Sequence, residues 1–117
     1  MLTLLIKKKW LDMILSGEKQ EEYREIKPYY SSRFRSVWGY PAYWGEEHEI
    51  RFRSGYRPES PTVIAMCTLS SGQGRPEWGA VPGEKYYRLH IRRVIPEGIT
   101  GETGPSPTDP IIQEPEV

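Results

Sequence analysis

"SGEKQEEYRE", residues 16–25, carries six charged side chains in ten positions, at the boundary between an apolar segment and a polar one. Two interpretations of this charge density are open. Either the charges lie on a solvated surface loop, where an ion pair contributes only about 0–1 kcal/mol, or a subset of them converges on a binding cleft. The residues on either side decide which geometry is available.

The segment before this stretch predicts a short helix. Apolar residues at positions 10, 11, 14 and 15 give residues 9–16 one apolar face. Gly17 is suited to end the helix, because glycine adopts a left-handed conformation without steric cost. The chain is therefore expected to turn sharply at Gly17.

The segment after Gly17 predicts a strand over residues 20–26. In a strand, Glu22 and Arg24 leave from the same face, about 6–7 Å apart. Lys19 lies at the turn that precedes them. A lysine, a glutamate and an arginine are thus predicted to gather at one strand edge, where they would suit a phosphate, a carboxylate or the polar edge of a nucleobase.

The remaining pattern predicts short strands and a second helix. Residues 2–7 form a first strand, and Pro28 begins a helix, since proline is favoured at the first helical position. Further strands are predicted over residues 49–53, 62–69 and 86–95. In the last of these, the alternation breaks at Arg93 and Val94, which indicates a bulge or a strand end. The order β-α-β-α-β-β-β predicts an α+β fold, a small mixed β-barrel with one or two short helices at its rim.

Charge is unevenly distributed along the 117-residue chain, although the formal net charge is zero. Residues 96–117 hold five acidic residues, five of the eleven prolines and no lysine or arginine. Such a segment buries too little surface to offset its ordering entropy, so a disordered acidic tail is predicted. Residues 1–95 then form one domain with 16 basic and 11 acidic residues, and this balance is compatible with a nucleic acid or nucleotide partner.

Three features favour a cytoplasmic location. The apolar start is followed by lysines at positions 7–9, which reverses the order found in a secretory signal. No segment approaches the roughly 20 apolar residues that cross a bilayer, so no membrane partner is expected. The single cysteine, Cys67, suits a reducing compartment, and its apolar surroundings predict a buried, inert thiol.

The spacing Gly17-x-Lys19-x-x-Glu22-x-Arg24 resembles the GxKxxExR signature of the ASCH family, named for activating signal cointegrator homology. The resemblance extends into the preceding strand, where Lys7 matches the family's strand-end lysine. ASCH domains resemble the PUA-like barrels, which are associated with RNA. The resemblance therefore implies a PUA-like fold with a ligand cleft between the barrel and its first helix, lined by Lys7 and the signature side chains.

A second wall for this cleft is predicted at the end of a central strand. Arg53 and Ser54 offer hydrogen-bond donors there, and Tyr56 offers an aromatic face. The same residue types also occur in ordinary turns, so a purely structural role is the alternative.

The resemblance implies that the chain binds RNA or a modified nucleoside or nucleotide. Phosphates would contact Lys7, Lys19 and Arg24, and bases would stack on tyrosine or tryptophan. Such a domain would act in RNA processing or regulation. No cofactor is implied.

Two other functions stay open. Some ASCH members hydrolyse acylated cytidine, using the signature lysine with a threonine at the position of Glu22, and others are ribonucleases. Lys19 and Glu22 would be the catalytic groups here, but Glu22 lacks the hydroxyl and is expected to favour the charged form of Lys19, so a ribonuclease fits better. The third function is a protein-interaction module that uses the acidic tail.

Two remaining candidate sites are weaker. Residues 46–49 include one histidine, His48, among glutamates, but neighbours in sequence rarely converge on one ion, so no metal site is predicted. His90 has the chemistry of a general base. No serine or cysteine nucleophile stands at a sequence spacing that supports a triad with it.

Overall fold

The computed structural model describes residues 1–100, with side chains described as far as Pro96. Of the predicted acidic tail, residues 96–117, the first five continue the last strand as far as Thr100 and were wrongly predicted as disordered, whereas residues 101–117 lie outside the described residues. Within residues 1–100, the order of strands and helices is the predicted one: β1 Leu2–Leu5, α1 Lys8–Ser16, β2 Glu21–Glu25, α2 Pro28–Trp38, β3 His48–Arg53, β4 Thr62–Gln73 and β5 Lys85–Thr100. Two short 3₁₀ turns, Pro41–Tyr43 and Pro76–Trp78, lie in the connections. Neither α1 nor α2 has the length and apolar character needed to cross a membrane, and the described part of the chain has no other helix that does.

The five strands form one curled sheet in the order β1-β3-β4-β5-β2. β1 runs parallel to β3, and the other neighbouring pairs are antiparallel. The α+β class is thus confirmed. The prediction of a barrel is confirmed only in part, because the sheet is a half-barrel. Its two edge strands in the described residues, β1 and β2, do not pair with each other.

A bulge in β5 accounts for the break in its alternation. Met66 pairs with Arg93 but Cys67 pairs with Ile91, so Arg92 is the extra residue on that strand. The predicted break was one residue too late. β4 and β5 are also longer than predicted, because the ladder continues past Leu69 to Gln73.

The hydrophobic core lies between the two helices and one face of the sheet. Leu11 and Ile14 of α1 and Phe34 and Trp38 of α2 are buried against the inward strand residues Ile50, Phe52, Val63, Ala65, Cys67, Leu69 and Leu89. Each large apolar side chain buried in this way contributes about 1.5–3 kcal/mol. Burial also raises the pKa of the Cys67 thiol to about 12, as expected for an inert cysteine.

Gly17 ends α1 in the left-handed conformation that its sequence position predicted. Its φ is 85°, and its N–H donates to the carbonyl of Ile14 at 3.2 Å. The N–H of Lys19 then donates to the carbonyl of Met13 at 2.9 Å, which folds the chain back toward β2. The direction of Lys19 is therefore fixed by backbone bonds to the last turn of the helix.

Replacing Gly17 by alanine should lower the free energy of unfolding by about 1 kcal/mol. The cost comes from backbone strain alone, since no atom lies within 4 Å of a Cβ built at this position. Gly45 is the matched control, because its Cβ would also meet open space and its φ lies outside the positive range. Urea unfolding of both variants tests this, and an equal effect at both positions would contradict it.

Candidate functional site

Lys19 is a buried cation. Its side chain is only 1% exposed, and its Nζ donates to the carbonyl oxygen of Trp78 at 2.6 Å. The same Nζ lies 3.2 Å from Oε1 of Glu22. The rings of Trp10 and Tyr23 also contact it, with centroids 4.9 and 5.0 Å from Nζ. Lys19 is thus enclosed by α1, β2 and the 3₁₀ turn before β5.

Glu22 and Arg24 leave β2 on the same face and meet there. Glu22 is 6% exposed, and its Oε2 accepts hydrogen bonds from Nε and Nη2 of Arg24 at 3.2 and 2.8 Å. The guanidinium also donates to the carbonyl of Leu5 in β1 at 2.8 Å and to the hydroxyl of Tyr30 in α2 at 3.3 Å. We call Lys19, Glu22 and Arg24 the buried charge cluster.

The charges of the opening stretch are therefore divided between two environments. The buried charge cluster turns inward, whereas Glu18 and Glu25 are exposed. A surface ion pair of small energy is the wrong description of the cluster, because its carboxylate and both its cations are largely withdrawn from water. Breaking such a buried pair by removing one partner is strongly destabilising.

Burial also governs the protonation of Lys19. Desolvation of the ammonium lowers the pKa of Lys19 below its usual 10.5, and the nearby carboxylate of Glu22 only partly opposes this. The sequence predicted that Glu22 favours the charged form of Lys19, and this attraction is present in the structure. The net shift in the pKa of Lys19 is nevertheless downward, because the prediction left out the desolvation cost of burial.

A cleft of about 310 Å³ opens beside the buried charge cluster. Lys7, Glu22 and Arg24 line it, whereas Lys19 does not and lines a separate pocket of about 470 Å³. The other lining residues are mostly aromatic or apolar: Leu5, Ile6, Trp10, Tyr23, Glu25, Tyr30 and Tyr86. The cleft thus combines aromatic walls with a carboxylate held between cations.

The second wall predicted from the sequence does not face this cleft. Arg53 ends β3 and donates from Nε to the hydroxyl of Thr62 at 3.4 Å. The N–H of Ser54 donates to the carbonyl of Pro61, and Tyr56 is 88% exposed. The structure places these side chains in the β3–β4 hairpin, separate from the cleft lining.

A larger groove, of about 740 Å³, lies at the start of β1 and β3 and along α2. Two of its polar residues belong to exposed or half-exposed pairs: Glu47 with Arg93 at 3.4 Å, and His48 with Glu46 at 3.7 Å. Among the residues that the structure describes, no group of histidine, cysteine or acidic side chains is arranged to hold a metal ion. We favour the smaller cleft as the functional site, because Glu22 and Arg24, two largely buried charges whose desolvation needs a reason, both line it.

Several residues of the site were not predicted. Trp78 acts through its backbone carbonyl, which no sequence pattern reveals. Trp10, Tyr23 and Tyr30 are visible in the sequence as aromatics: Tyr23 lies inside the signature, and the other two lie within seven positions of it. This proximity was the signal that could have identified them.

His90 is also less isolated than the sequence indicated. Ser70, twenty positions earlier, places its Oγ 2.6 Å from Nε2 of His90, on the other face of the sheet. Sequence spacing did not reveal this contact, because strand register brings the two side chains together.

Comparison with protein-family models, with curated proteins and with solved structures gave no match for this chain.

Glu22→Gln should lower the free energy of unfolding by about 3–5 kcal/mol, because it leaves two buried cations without their counter-charge. Lys19→Met should cost less, since Glu22 and Arg24 remain a neutral pair. Glu18→Gln, an exposed change in the same stretch, should stay within about 0.5 kcal/mol. Chemical denaturation of the three variants measures this order, and equal effects of the changes at Glu22 and Glu18 would refute a buried cluster.

Proposed function

We propose that the chain is an ASCH-type, PUA-like domain whose cleft binds a nucleobase-bearing ligand: a nucleoside, a nucleotide or an unpaired residue of RNA. The observation that carries this proposal is the carboxylate of Glu22. It lines an aromatic cleft and is fixed from behind by Lys19 and Arg24. The signature resemblance supports the same class of ligand.

The size of the cleft favours a single small ligand. Sites for small molecules occupy about 300–1,000 Å³, and the present cleft lies at the lower end of that range. A base with its sugar is of this order, whereas a double helix is far larger. We therefore assign the cleft to free nucleosides and nucleotides or to single-stranded RNA, in which unpaired bases are accessible.

The aromatic walls supply the apolar part of recognition. Trp10 belongs to α1, Tyr30 to α2 and Tyr86 to β5, so three separate elements present rings to the same space. Stacking of a base on an aromatic side chain contributes about 1–3 kcal/mol. Because every base has a stacking face, these walls give affinity with little selectivity.

The polar groups of the cleft set the orientation of the ligand. The carboxylate of Glu22 accepts hydrogen bonds from the exocyclic amino group of a base, as glutamate does with cytosine. Arg24 holds this carboxylate with two hydrogen bonds, so little freedom is lost when a ligand binds. Lys7 is exposed at the edge of the cleft, where its ammonium can meet a phosphate without first losing a buried partner.

Hydrolysis is the second candidate function, and the lowered pKa of Lys19 favours it. A buried lysine of lowered pKa is a better base or nucleophile than a solvated one. In the structure, however, Lys19 is 1% exposed, its Nζ contacts the Trp78 carbonyl and Glu22, and it does not line the cleft. The described geometry therefore supports binding in the cleft better than hydrolysis by Lys19. The third candidate, interaction through the acidic tail, depends on residues outside the described range.

Lys7→Ala should weaken binding of a nucleoside monophosphate by roughly 10- to 100-fold, because it removes one charge-assisted contact. Binding of the unphosphorylated nucleoside should change little. Lys8→Ala is the matched control: it removes the same charge from the neighbouring position, but Lys8 pairs with Asp12 and does not line the cleft. Calorimetric titration of the four nucleosides, their monophosphates and short unpaired RNAs at low salt measures these affinities.

Absence of binding to every member of this panel would overturn the proposal. Equal losses from Lys7→Ala and Lys8→Ala would show that the phosphate effect is general electrostatics and not a contact in the cleft. Product analysis of the same mixtures distinguishes binding from hydrolysis, since only the latter changes the ligand.

A further inference from the structure

Ser70, His90 and Glu21 form a continuous series of polar contacts across three neighbouring strands. Oγ of Ser70 in β4 lies 2.6 Å from Nε2 of His90 in β5, and Nδ1 of His90 lies 3.2 Å from Oε2 of Glu21 in β2. Glu21 precedes Glu22 in the strand, so its side chain leaves on the opposite face from the buried charge cluster. Ser70, His90 and Glu21 therefore do not line the cleft, although Tyr23, which does, also bonds Glu21.

Strand register explains why these residues meet. Glu21 is directly opposite His90, and Ser70 is directly opposite Arg88, two positions before His90. Ser70 and His90 are thus diagonal neighbours on one face of an antiparallel pair, within reach of each other. The bulge at Arg92 lies beyond this region and does not disturb it.

We propose that Ser70 is a nucleophile toward carboxylic esters and related activated acyl compounds, with His90 as its general base and Glu21 as the residue that positions the histidine. The order serine–histidine–carboxylate and the contacts at both ring nitrogens are those that acyl transfer requires. This activity would use none of the cleft residues Lys7, Glu22 and Arg24.

The protonation state of His90 suits this role. Burial lowers the pKa of His90 below its usual 6.5, and Glu21 only partly opposes this shift, so the imidazole is neutral at neutral pH. Nε2 then accepts the proton of the Ser70 hydroxyl, and Nδ1–H donates to Glu21. Glu21 is held in turn by the hydroxyl of Tyr23, which donates to its Oε1 at 2.7 Å.

Arg88 adds a cation beside the nucleophile. Its Nε donates to Oγ of Ser70 at 3.0 Å, and its Nη1 is anchored on the carbonyl of Gln73 at 3.0 Å. Gly72 makes room for this guanidinium, because a Cβ there would lie 2.8 Å from its central carbon. Negative charge that develops on oxygen next to Ser70 would form close to this cation, which stabilises the transition state of acyl transfer.

The proposed reaction is a two-step ester hydrolysis. Oγ of Ser70 bonds to the acyl carbon while its proton passes to Nε2 of His90, the ester C–O bond breaks, and the alcohol leaves with that proton. Water then attacks the acyl-serine with His90 again accepting the proton, which releases the carboxylic acid and restores Ser70. Only water is consumed besides the ester. His90 is 26% exposed on an open sheet face, so small acyl groups are the expected substrates.

Two reagents test the nucleophile directly: a fluorophosphonate, which forms a stable adduct on activated serines, and p-nitrophenyl acetate. Mass spectrometry of the labelled, digested wild-type protein should place the adduct on Ser70, and p-nitrophenol release should be faster than in buffer. His90→Gln should slow both reactions by about 100-fold or more, the usual contribution of a general base. Ser71→Ala is the matched control, since its side chain is exposed on the other face and both reactions should be unchanged.

Glu21 is tested by a pH profile, because a purely structural role would not shift it. The groups that face His90 are Glu21 from β2, Ser70 from β4, and Arg88 and Arg92 from β5. Glu21→Gln removes the carboxylate that raises the pKa of His90, so the midpoint of the labelling rate should move to lower pH. An unlabelled Ser70 in the folded wild-type protein, or labelling that His90→Gln leaves unchanged, would overturn the proposal. The three residues would then form a cross-strand polar network with a structural role only.

Discussion

The guanidinium of Arg24 connects parts of the fold that no strand pairing joins. β1 and β2 are the edge strands of the described half-barrel, and Arg24 of β2 donates to the carbonyl of Leu5 in β1. Its remaining donors reach Glu22 and the hydroxyl of Tyr30 on α2. One planar cation thus binds three elements, which a lysine with its single ammonium does not reproduce. This side chain therefore bridges the two edge strands at the open side of the half-barrel.

The other charges follow from that connection. A buried guanidinium needs a counter-charge, which Glu22 provides, and Lys19 occupies the remaining oxygen of that carboxylate. Buried ion pairs seldom add much net stability compared with apolar residues of similar size. The proposed function gives a reason for these charges next to an aromatic cleft, because the same hydrogen bonds hold the Glu22 carboxylate in a fixed orientation. Under that proposal, stability and ligand binding depend on one set of contacts.

The parts of this arrangement that depend on residues close together in sequence could be predicted. The end of α1 at Gly17 and the shared face of Glu22 and Arg24 depend only on helical and strand periodicity. The enclosure of Lys19 was missed because it depends on the carbonyl of Trp78, fifty-nine positions away. Ser70 and His90 were not paired for a similar reason: their contact is set by the register of β4 and β5. Sequence periodicity predicts the face of a side chain, and tertiary register decides its partner.

Amide hydrogen exchange of Arg24→Lys, followed residue by residue by NMR, tests the central role of Arg24 most directly. The substituted lysine keeps the charge near Glu22 but loses the simultaneous bonds to Leu5 and Tyr30. The account predicts faster exchange in both β1 and β2, including the N–H of Ile6 that donates to Arg53, while the β3–β4 ladder stays protected. Unchanged protection in both edge strands would contradict it.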